Sequence, residues 1–439
     1  MRFPNLPVLP APWFLALALI TLVVTRIMIV HITPANDDFI DLSIYCEVGE
    51  LVVNGGDPYD TEAKRDLREQ LRLNGHGAAP YVTASKGSYD FYVSSNWPAS
   101  TLLYGAIEWL SGGSPHGWRL ILISGDLAIA LAIFFFLGRV GIKLDNVETQ
   151  VAFVLSAICY PSLIQWGTVL AEDKQFQIAL MVALAGLLIT PGRTPSLNAA
   201  AIGILGGLSL MFKVLGIFLA PVALCYFWTR PRRELLIAIG TALAITLPMI
   251  LFFDVAFVVR MFNRFREETS PLAMVGSLHA SPWSLLPKTW SVYARPIVSG
   301  ALVALATATF ARGRIDILNC CAALGVVFAC LWLLGGSMDR MNIVMMFALT
   351  CSATISARAW QTLTLINFLV QAPIYFAVFH HKQYALGLDP ELPDAVATAI
   401  FIVSYFSLLF TSKSDGRSIY RYAVVRTKTP TAEFSKAAG

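Results

Sequence analysis

Long apolar runs separated by short polar connections form the dominant pattern along this chain. A helix rises about 1.5 Å per residue, so about 20 apolar residues are enough to cross a hydrocarbon core roughly 30 Å thick. The pattern therefore predicts about twelve membrane-spanning helices. Their approximate positions are 13–32, 118–138, 150–166, 175–191, 197–213, 214–229, 233–253, 296–311, 316–335, 340–357, 360–379 and 395–411.

The composition agrees with a chain that folds in a lipid bilayer. Of its 439 residues, 56% are hydrophobic and 14% are charged, whereas about 25% of the residues of an average soluble domain are charged. We therefore expect an all-α, polytopic membrane protein that forms one integral membrane unit over residues 1–439.

Lys and Arg residues collect in alternate connections between the predicted spans. Cytoplasmic loops are enriched in these residues, so we predict a plasma (inner) membrane protein with both termini in the cytoplasm and a cytoplasmic tail over 412–439. The basic residues that fall on this side are Arg2, Arg139, Lys143, Arg193, Arg230, Arg232, Arg233, Arg312, Arg314 and Arg358, together with those of the tail.

The first polar loop, 33–117, is long and is predicted to face the periplasm or the outside. Three carboxylates follow directly after the first apolar run: Asp37, Asp38 and Asp41. A helix over 38–53 would place Asp38, Asp41 and Tyr45 on one face. An N-cap accounts for one acid but not for three, so this stretch is a candidate functional site.

Two further segments of the loop are expected to lie at the membrane surface. Residues 61–73 are charged on most sides with one apolar stripe, a pattern typical of an interfacial helix. Residues 97–111 are too short for an ordinary span, and we interpret them as a re-entrant or surface helix.

Two short motifs stand in a fixed order at the start of the loop. Asp41-Leu42-Ser43-Ile44-Tyr45 is followed, after about ten residues, by Gly55-Gly56-Asp57-Pro58-Tyr59. This arrangement resembles the GT-C membrane glycosyltransferases, most closely their branch of polyprenol-phosphate-mannose-dependent alpha-mannosyltransferases. Further similar elements are Trp97-Pro98, the stretch 170–188 with Glu172, Asp173 and Lys174, the stretch 206–221 with Lys213, and the loop 276–279 with His279.

The resemblance implies a GT-C-like fold and transfer of a sugar from a polyprenyl-phosphate donor to a glycan or glycolipid acceptor on the outer face. It further implies inversion at the sugar and no metal. By the motif, Asp41 is the general base; by chemistry alone, Asp38 competes with it. The donor phosphate would meet Lys213, His279 and Arg340. The substrates would contact Tyr45, Tyr59, Trp97, Glu172, Asp173 and Lys174.

Other interpretations of the same residues remain open. Lysines at span ends often extend to the lipid headgroups, which is a second explanation for Lys213. The seven cysteines show no paired metal spacing, and we expect neither a metal nor a cofactor. Nucleotide-binding and serine-hydrolase motifs are absent from the sequence, and we expect no nucleic-acid partner.

Two rival functions also remain. A polymerase or ligase of lipid-linked glycans would share the donor and the topology of a transferase. A secondary transporter is disfavoured by the expectation that the ionisable groups lie at segment ends and none lies in the middle of a span.

Overall fold

The computed structural model describes residues 8–33, 40–59, 97–169, 171, 173–189, 194–212, 216, 219–228, 230–253 and 345–379, with isolated residues at 297, 325, 400, 403, 404 and 407. The longer elements within these ranges are all α-helices: α1 Ala11–Ile32, α2 Ile40–Val53, α3 Pro98–Ser111, α4 Pro115–Arg139, α5 Val147–Phe153, α6 Lys174–Ile189, α7 Pro195–Phe212, α8 Ala220–Trp228, α9 Arg232–Phe252, α10 Met345–Cys351 and α11 Ala357–Phe379. Two π-helical segments, Val154–Ile158 and Leu163–Val169, lie between α5 and α6.

Five helices in the described ranges are long and apolar enough to cross a membrane: Ala11–Ile32, Pro115–Arg139, Val147–Gln165, Pro195–Phe212 and Arg232–Phe252. Each coincides with a predicted span, so the all-α class and the membrane character are confirmed. The predicted spans 296–311, 316–335 and 395–411 lie outside the continuous described ranges. The count of about twelve spans therefore stays a prediction.

Local signals in the sequence explain where several helices begin and end. Proline stands in the first turn of α1, α3 and α4, where its missing N–H costs no helical hydrogen bond. Asn146 caps α5 by accepting a hydrogen bond from the backbone N–H of Thr149 at 2.9 Å. Gly112 ends α3 in the left-handed conformation, with φ of 61°.

Contacts between helix ends show how the bundle is threaded. Arg119, at the start of α4, donates hydrogen bonds to Thr33, which follows the end of α1. At the other end of the bundle, Gln150 of α5 donates to the carbonyl of Leu9, which precedes α1, at 2.7 Å. The helices α1 and α4 are therefore antiparallel. We call the end that contains Thr33 and Arg119 the site end, and the end that contains Leu9 the opposite end.

The other contacts continue the same alternation. Arg139, at the end of α4, donates to the carbonyl of Gly186 near the end of α6 at 3.1 Å. Asn198, near the start of α7, donates to the hydroxyl of Tyr226 in α8 at 2.9 Å. These residues flank the short connections between the helices. The same connections carry the Lys and Arg residues from which the cytoplasmic side was predicted. Phe212 and Phe253, which end α7 and follow α9, lie at the site end.

The interior of the bundle contains an ion pair that the hydrophobic pattern did not predict. Every fourth residue of α1 from Phe14 to Val30 is buried, and Arg26 belongs to this row. Its Nε donates to Oδ2 of Asp126 in α4 at 2.7 Å, and both side chains are 1% exposed. The expectation that no ionisable group lies in the middle of a span was wrong. The mean hydropathy of a long apolar run changes little when the run contains one charged residue, so the run still reads as a span. The residue that pairs with Arg26 is 100 positions away in the sequence.

Candidate functional site

Helices α2 and α3 pack closely at the site end because each presents a glycine to the other. A Cβ on Gly49 of α2 would stand 2.7 Å from the carbonyl oxygen of Tyr104 in α3. A Cβ on Gly105 of α3 would stand 2.6 Å from Cγ1 of Val52 in α2. This close approach brings the tyrosines of the two helices into contact.

The carboxylate of Asp173 is the centre of the resulting cluster. Asp173 is fully buried just before α6, and its oxygens accept hydrogen bonds from the hydroxyls of Tyr104 at 2.6 Å and Tyr45 at 3.4 Å. The two tyrosine rings stack with centroids 4.6 Å apart and an angle of 20° between their planes. Three separate segments of the chain therefore meet at one carboxylate.

The backbone beside Asp173 adopts an unusual conformation. Ala171 is fully buried and has φ of 60°, in the left-handed region that a residue with a Cβ seldom occupies. Such a conformation persists only where the surrounding packing enforces it, and it is found at functional sites more often than elsewhere. Lys174, the first residue of α6, is also buried.

A tryptophan extends the cluster to the start of α4. The ring of Trp118 lies 6.1 Å from that of Tyr104, and its Nε1 donates a hydrogen bond to the carboxylate of Glu108. Burial raises the pKa of the Glu108 carboxyl above its ordinary value, and the hydrogen bond from Trp118 partly opposes this shift. Burial likewise raises the pKa of the Cys46 thiol, which lies beside Tyr45.

The second sequence motif packs against the start of α3 in a neighbouring cluster. The hydroxyl of Tyr59 lies 3.0 Å from Oγ1 of Thr101, and its ring meets Phe253 edge to face with centroids 5.6 Å apart. Burial raises the pKa of Tyr59. The carboxylate of Asp57 accepts a hydrogen bond from the backbone N–H of Tyr59 at 2.8 Å, which fixes the turn of the motif.

The end of α7 reaches the same region. Ser100 of α3 donates a hydrogen bond to the carbonyl of Phe212 at 2.8 Å. Trp97, the N-cap residue of α3, packs against the cluster that contains Phe212. Phe212 directly precedes Lys213 in the sequence.

The structure thus places five of the predicted site residues at the site end: Tyr45, Tyr59, Trp97, Asp173 and Lys174. It brings Tyr45 and Asp173 into direct contact. Asp41 lies in the first turn of α2, one turn before Tyr45, although its side chain lies outside the described residues. Asp38, Glu172, Lys213, His279 and Arg340 lie outside them as well, and their proposed roles stay predictions.

Tyr104, Glu108 and Trp118 are not among the site residues predicted from the sequence. One signal was available, since Tyr104 and Glu108 stand four residues apart and therefore share a face of α3. Within the described part of the chain, no group of three or more His, Cys, Asp or Glu side chains is arranged to hold a metal ion.

Comparison with protein families, curated proteins and solved structures finds no match to this chain.

Proposed function

We propose that this protein is a membrane glycosyltransferase that moves a sugar from a polyprenyl-phosphate donor to a glycan or glycolipid acceptor on the outer face of the plasma membrane. One observation carries the proposal. Sequence elements that resemble separate motifs of the GT-C mannosyltransferases come together at one end of the helical bundle. Tyr45 of the first motif contacts Asp173, which is 128 residues further along the chain.

The other motifs gather around the same pair of helices. Tyr59 of the second motif packs on Thr101 of α3, and Trp97 stands at the N-cap position of that helix. The helix that leads to Lys213 ends against Ser100. Because motifs far apart in sequence have no local reason to meet, their assembly at one site supports a shared chemical role.

The proposed reaction needs one proton acceptor and several groups that stabilise negative charge. Asp41 takes the proton of the acceptor hydroxyl as that oxygen attacks the anomeric carbon, and the polyprenyl phosphate leaves from the opposite side. Lys213, His279 and Arg340 meet the phosphate, since charge-assisted contacts stabilise a leaving group that gains negative charge. Stacking on Tyr104 and the hydrogen bond to Asp173 hold Tyr45, and with it the helix that carries Asp41.

A second candidate function, a secondary transporter, gains support from the Arg26–Asp126 pair. Ionisable groups inside a membrane span often mark the pathway of an ion or a substrate. The glycosyltransferase remains the better-supported proposal because the pair is linked by hydrogen bonds to the segment that leads to Asp173. Reconstituted protein that accumulates solute in vesicles and transfers no sugar would favour the transporter.

A polymerase or ligase of lipid-linked glycans is the remaining alternative. It would share the donor class and the position of the site, so the product distinguishes it from a transferase. Addition of a single sugar to the acceptor indicates a transferase, whereas transfer or extension of a whole glycan indicates a ligase or polymerase.

The decisive test is the pair of variants Asp41→Asn and Asp38→Asn in nanodisc-reconstituted protein. Asp41→Asn retains the shape of the side chain and removes the proton acceptor, so turnover should fall by about 10²–10⁴-fold while donor binding is largely retained. Asp38→Asn should cost less. An inactive Asp38 variant beside a normal Asp41 variant would move the base to Asp38, and full activity in both would refute the proposed mechanism.

A further inference from the structure

The ion pair inside the bundle is joined to a larger set of polar contacts. Besides Asp126, the guanidinium of Arg26 donates to the carbonyl of Ile158 at 2.7 Å. Ile158 is the last residue of the first π-helical segment, a kind of distortion that occurs often at functional sites. Thr168, in the second π-helical segment, donates to Oδ2 of Asp126 at 2.8 Å.

The carboxylate of Asp126 contacts the chain on both sides of Asp173. Thr168, five residues before Asp173 in the chain, donates a hydrogen bond to this carboxylate. Gln175, two residues after Asp173, lies next to it. A Cβ on Gly167 would lie 2.7 Å from Nε2 of Gln175 and 3.1 Å from Oδ1 of Asp126, so these two side chains lie side by side against that glycine. Asp126 therefore lies against residues that precede Asp173 and a residue that follows it in the chain.

The start of α6 also packs closely against α4 beside the ion pair. A Cβ on Gly125, next to Asp126 in α4, would stand 2.9 Å from Cβ of Gln175 and 3.1 Å from the ring of Phe176. The first turn of α6 therefore rests directly on α4 at the level of the ion pair. A displacement of Asp126 would be passed to Gln175 and from there to Asp173.

The net stability that the pair contributes does not explain this arrangement. Removing two charges from water costs about as much as their attraction returns, and well-packed apolar replacements of such pairs are often neutral or stabilising. A buried pair with several hydrogen bonds does, however, restrict the positions of the segments that it joins. We therefore expect the ion pair to affect the relative positions of the segments that it joins rather than the overall stability of the protein.

We propose that Arg26 and Asp126 are positioning residues that hold Thr168 and Gln175, on either side of Asp173 in the chain, and thereby fix Asp173 where it binds Tyr45 and Tyr104. This inference rests on the proposed function only for its effect on turnover. The mechanical link from the ion pair through Gln175 and Asp173 to α2 follows from the contacts themselves and has its own test.

The test uses an apolar double variant, Arg26→Met with Asp126→Leu, in the full-length protein. The free thiol of Cys46 reports on the site, since it lies on α2 beside Tyr45 and packs against the cluster that includes Tyr104 and Ala171. The thiol of Cys351, which is buried in α10, reports on global unfolding. Alkylation of each by N-ethylmaleimide is followed by peptide mass spectrometry.

The double variant should remain folded, with thermal stability close to that of the wild type. Cys46 should be alkylated about tenfold faster, because α2 loses part of its support, while the rate for Cys351 stays unchanged. Turnover should fall by about 10²-fold with the KM for the lipid donor unchanged, as expected when reacting groups are displaced by about 1 Å.

A second variant tests the same link with both charges in place. Gly167→Ala puts a methyl group against Gln175 and Asp126 and should also raise the alkylation rate of Cys46 alone. Gly240→Ala is the matched control, because a Cβ at Gly240 meets no atom within 4 Å. In Gly240→Ala the alkylation rates of Cys46 and Cys351 should equal those of the wild type.

The remaining outcomes separate failure of the positioning role from failure of the proposed function. An unchanged Cys46 rate in the double variant, or equal increases at Cys46 and Cys351, would show that the pair does not position the site. If the wild type transfers no sugar while Cys46 responds as expected, the proposed function fails and the mechanical link stands. If the wild type is active and the double variant retains full turnover, the positioning role fails although the function stands.

Discussion

At the scale of the residue, two buried aspartates acquire different roles from their neighbours. Asp126 lies in the apolar interior, where the guanidinium of Arg26 balances its charge at 2.7 Å. Asp173 lies at the end of the bundle and accepts hydrogen bonds from two tyrosine hydroxyls. A buried carboxylate without such donors would be strongly destabilised, so these partners largely decide what each aspartate can do.

The substitution Tyr104→Phe should destabilise the protein more than Tyr45→Phe does. Tyr104 donates to Asp173 at 2.6 Å and Tyr45 at 3.4 Å, and removing a good hydrogen bond to a carboxylate typically costs about 1.5–3 kcal/mol. Both variants keep the stacked rings. Thermal unfolding in detergent measures the difference, and an equal or reversed loss would show that the shorter contact is not the stronger one.

At the scale of the element, small residues decide which helices lie in contact. Gly203 and Gly207 form a small-xxx-small pair on one face of α7, and this face packs on α9. A Cβ on Gly203 would clash with the carbonyl oxygen of Ala238, and one on Gly207 would stand 3.1 Å from that of Ala242. The contact moves forward by four residues on both helices, from Gly203 and Ala238 to Gly207 and Ala242, so α7 and α9 run parallel.

The substitution Gly203→Ala should therefore separate α7 from α9 and lower stability. Forcing an extra methyl group into a packed contact typically costs about 1–3 kcal/mol. In an open position, by contrast, Ala favours a helix over Gly by roughly 1 kcal/mol, so Gly240→Ala should be neutral or stabilising. If the close crossing exists, thermal unfolding shows a lower stability for Gly203→Ala than for the wild type and no loss for Gly240→Ala. Equal changes in the two variants would contradict the crossing.

At the scale of the whole molecule, the alternation of helices separates two chemical environments. The opposite end gathers Arg139 and Arg230, the latter with its guanidinium 5.1 Å from the ring centroid of Tyr226. The site end gathers Asp173, Glu108, Tyr45, Tyr59 and Tyr104, together with the buried Arg119 and Lys174. This separation agrees with the distribution of Lys and Arg that led us to predict cytoplasmic termini.

Cysteine labelling in intact cells tests that topology. A membrane-impermeant maleimide added from outside should modify Ser85→Cys in the predicted outer loop. It should not modify Asp415→Cys in the tail or Asp145→Cys between α4 and α5, unless the membrane is first permeabilised. Labelling in the reverse pattern would place the site end in the cytoplasm and contradict a reaction on the outer face.

The sequence by itself determined the membrane character of this protein and the approximate positions of its helices. These follow from local apolar runs, which specify a helix in a bilayer whatever lies elsewhere in the chain, since every backbone polar group there must be bonded within its own segment. The motifs likewise pointed to Tyr45 and Asp173 as site residues before their contact was known.

Only the tertiary structure decided which side chains meet. Neither Tyr104 beneath Tyr45 nor Asp126 beside Arg26 follows from a local pattern, because these contacts join residues 59 and 100 positions apart through helix packing. The two π-helical segments and the left-handed Ala171 also depend on this packing, since the local sequence gives no reason for either. Hydrophobic pattern thus sets the helices, whereas close contacts between distant segments set the site.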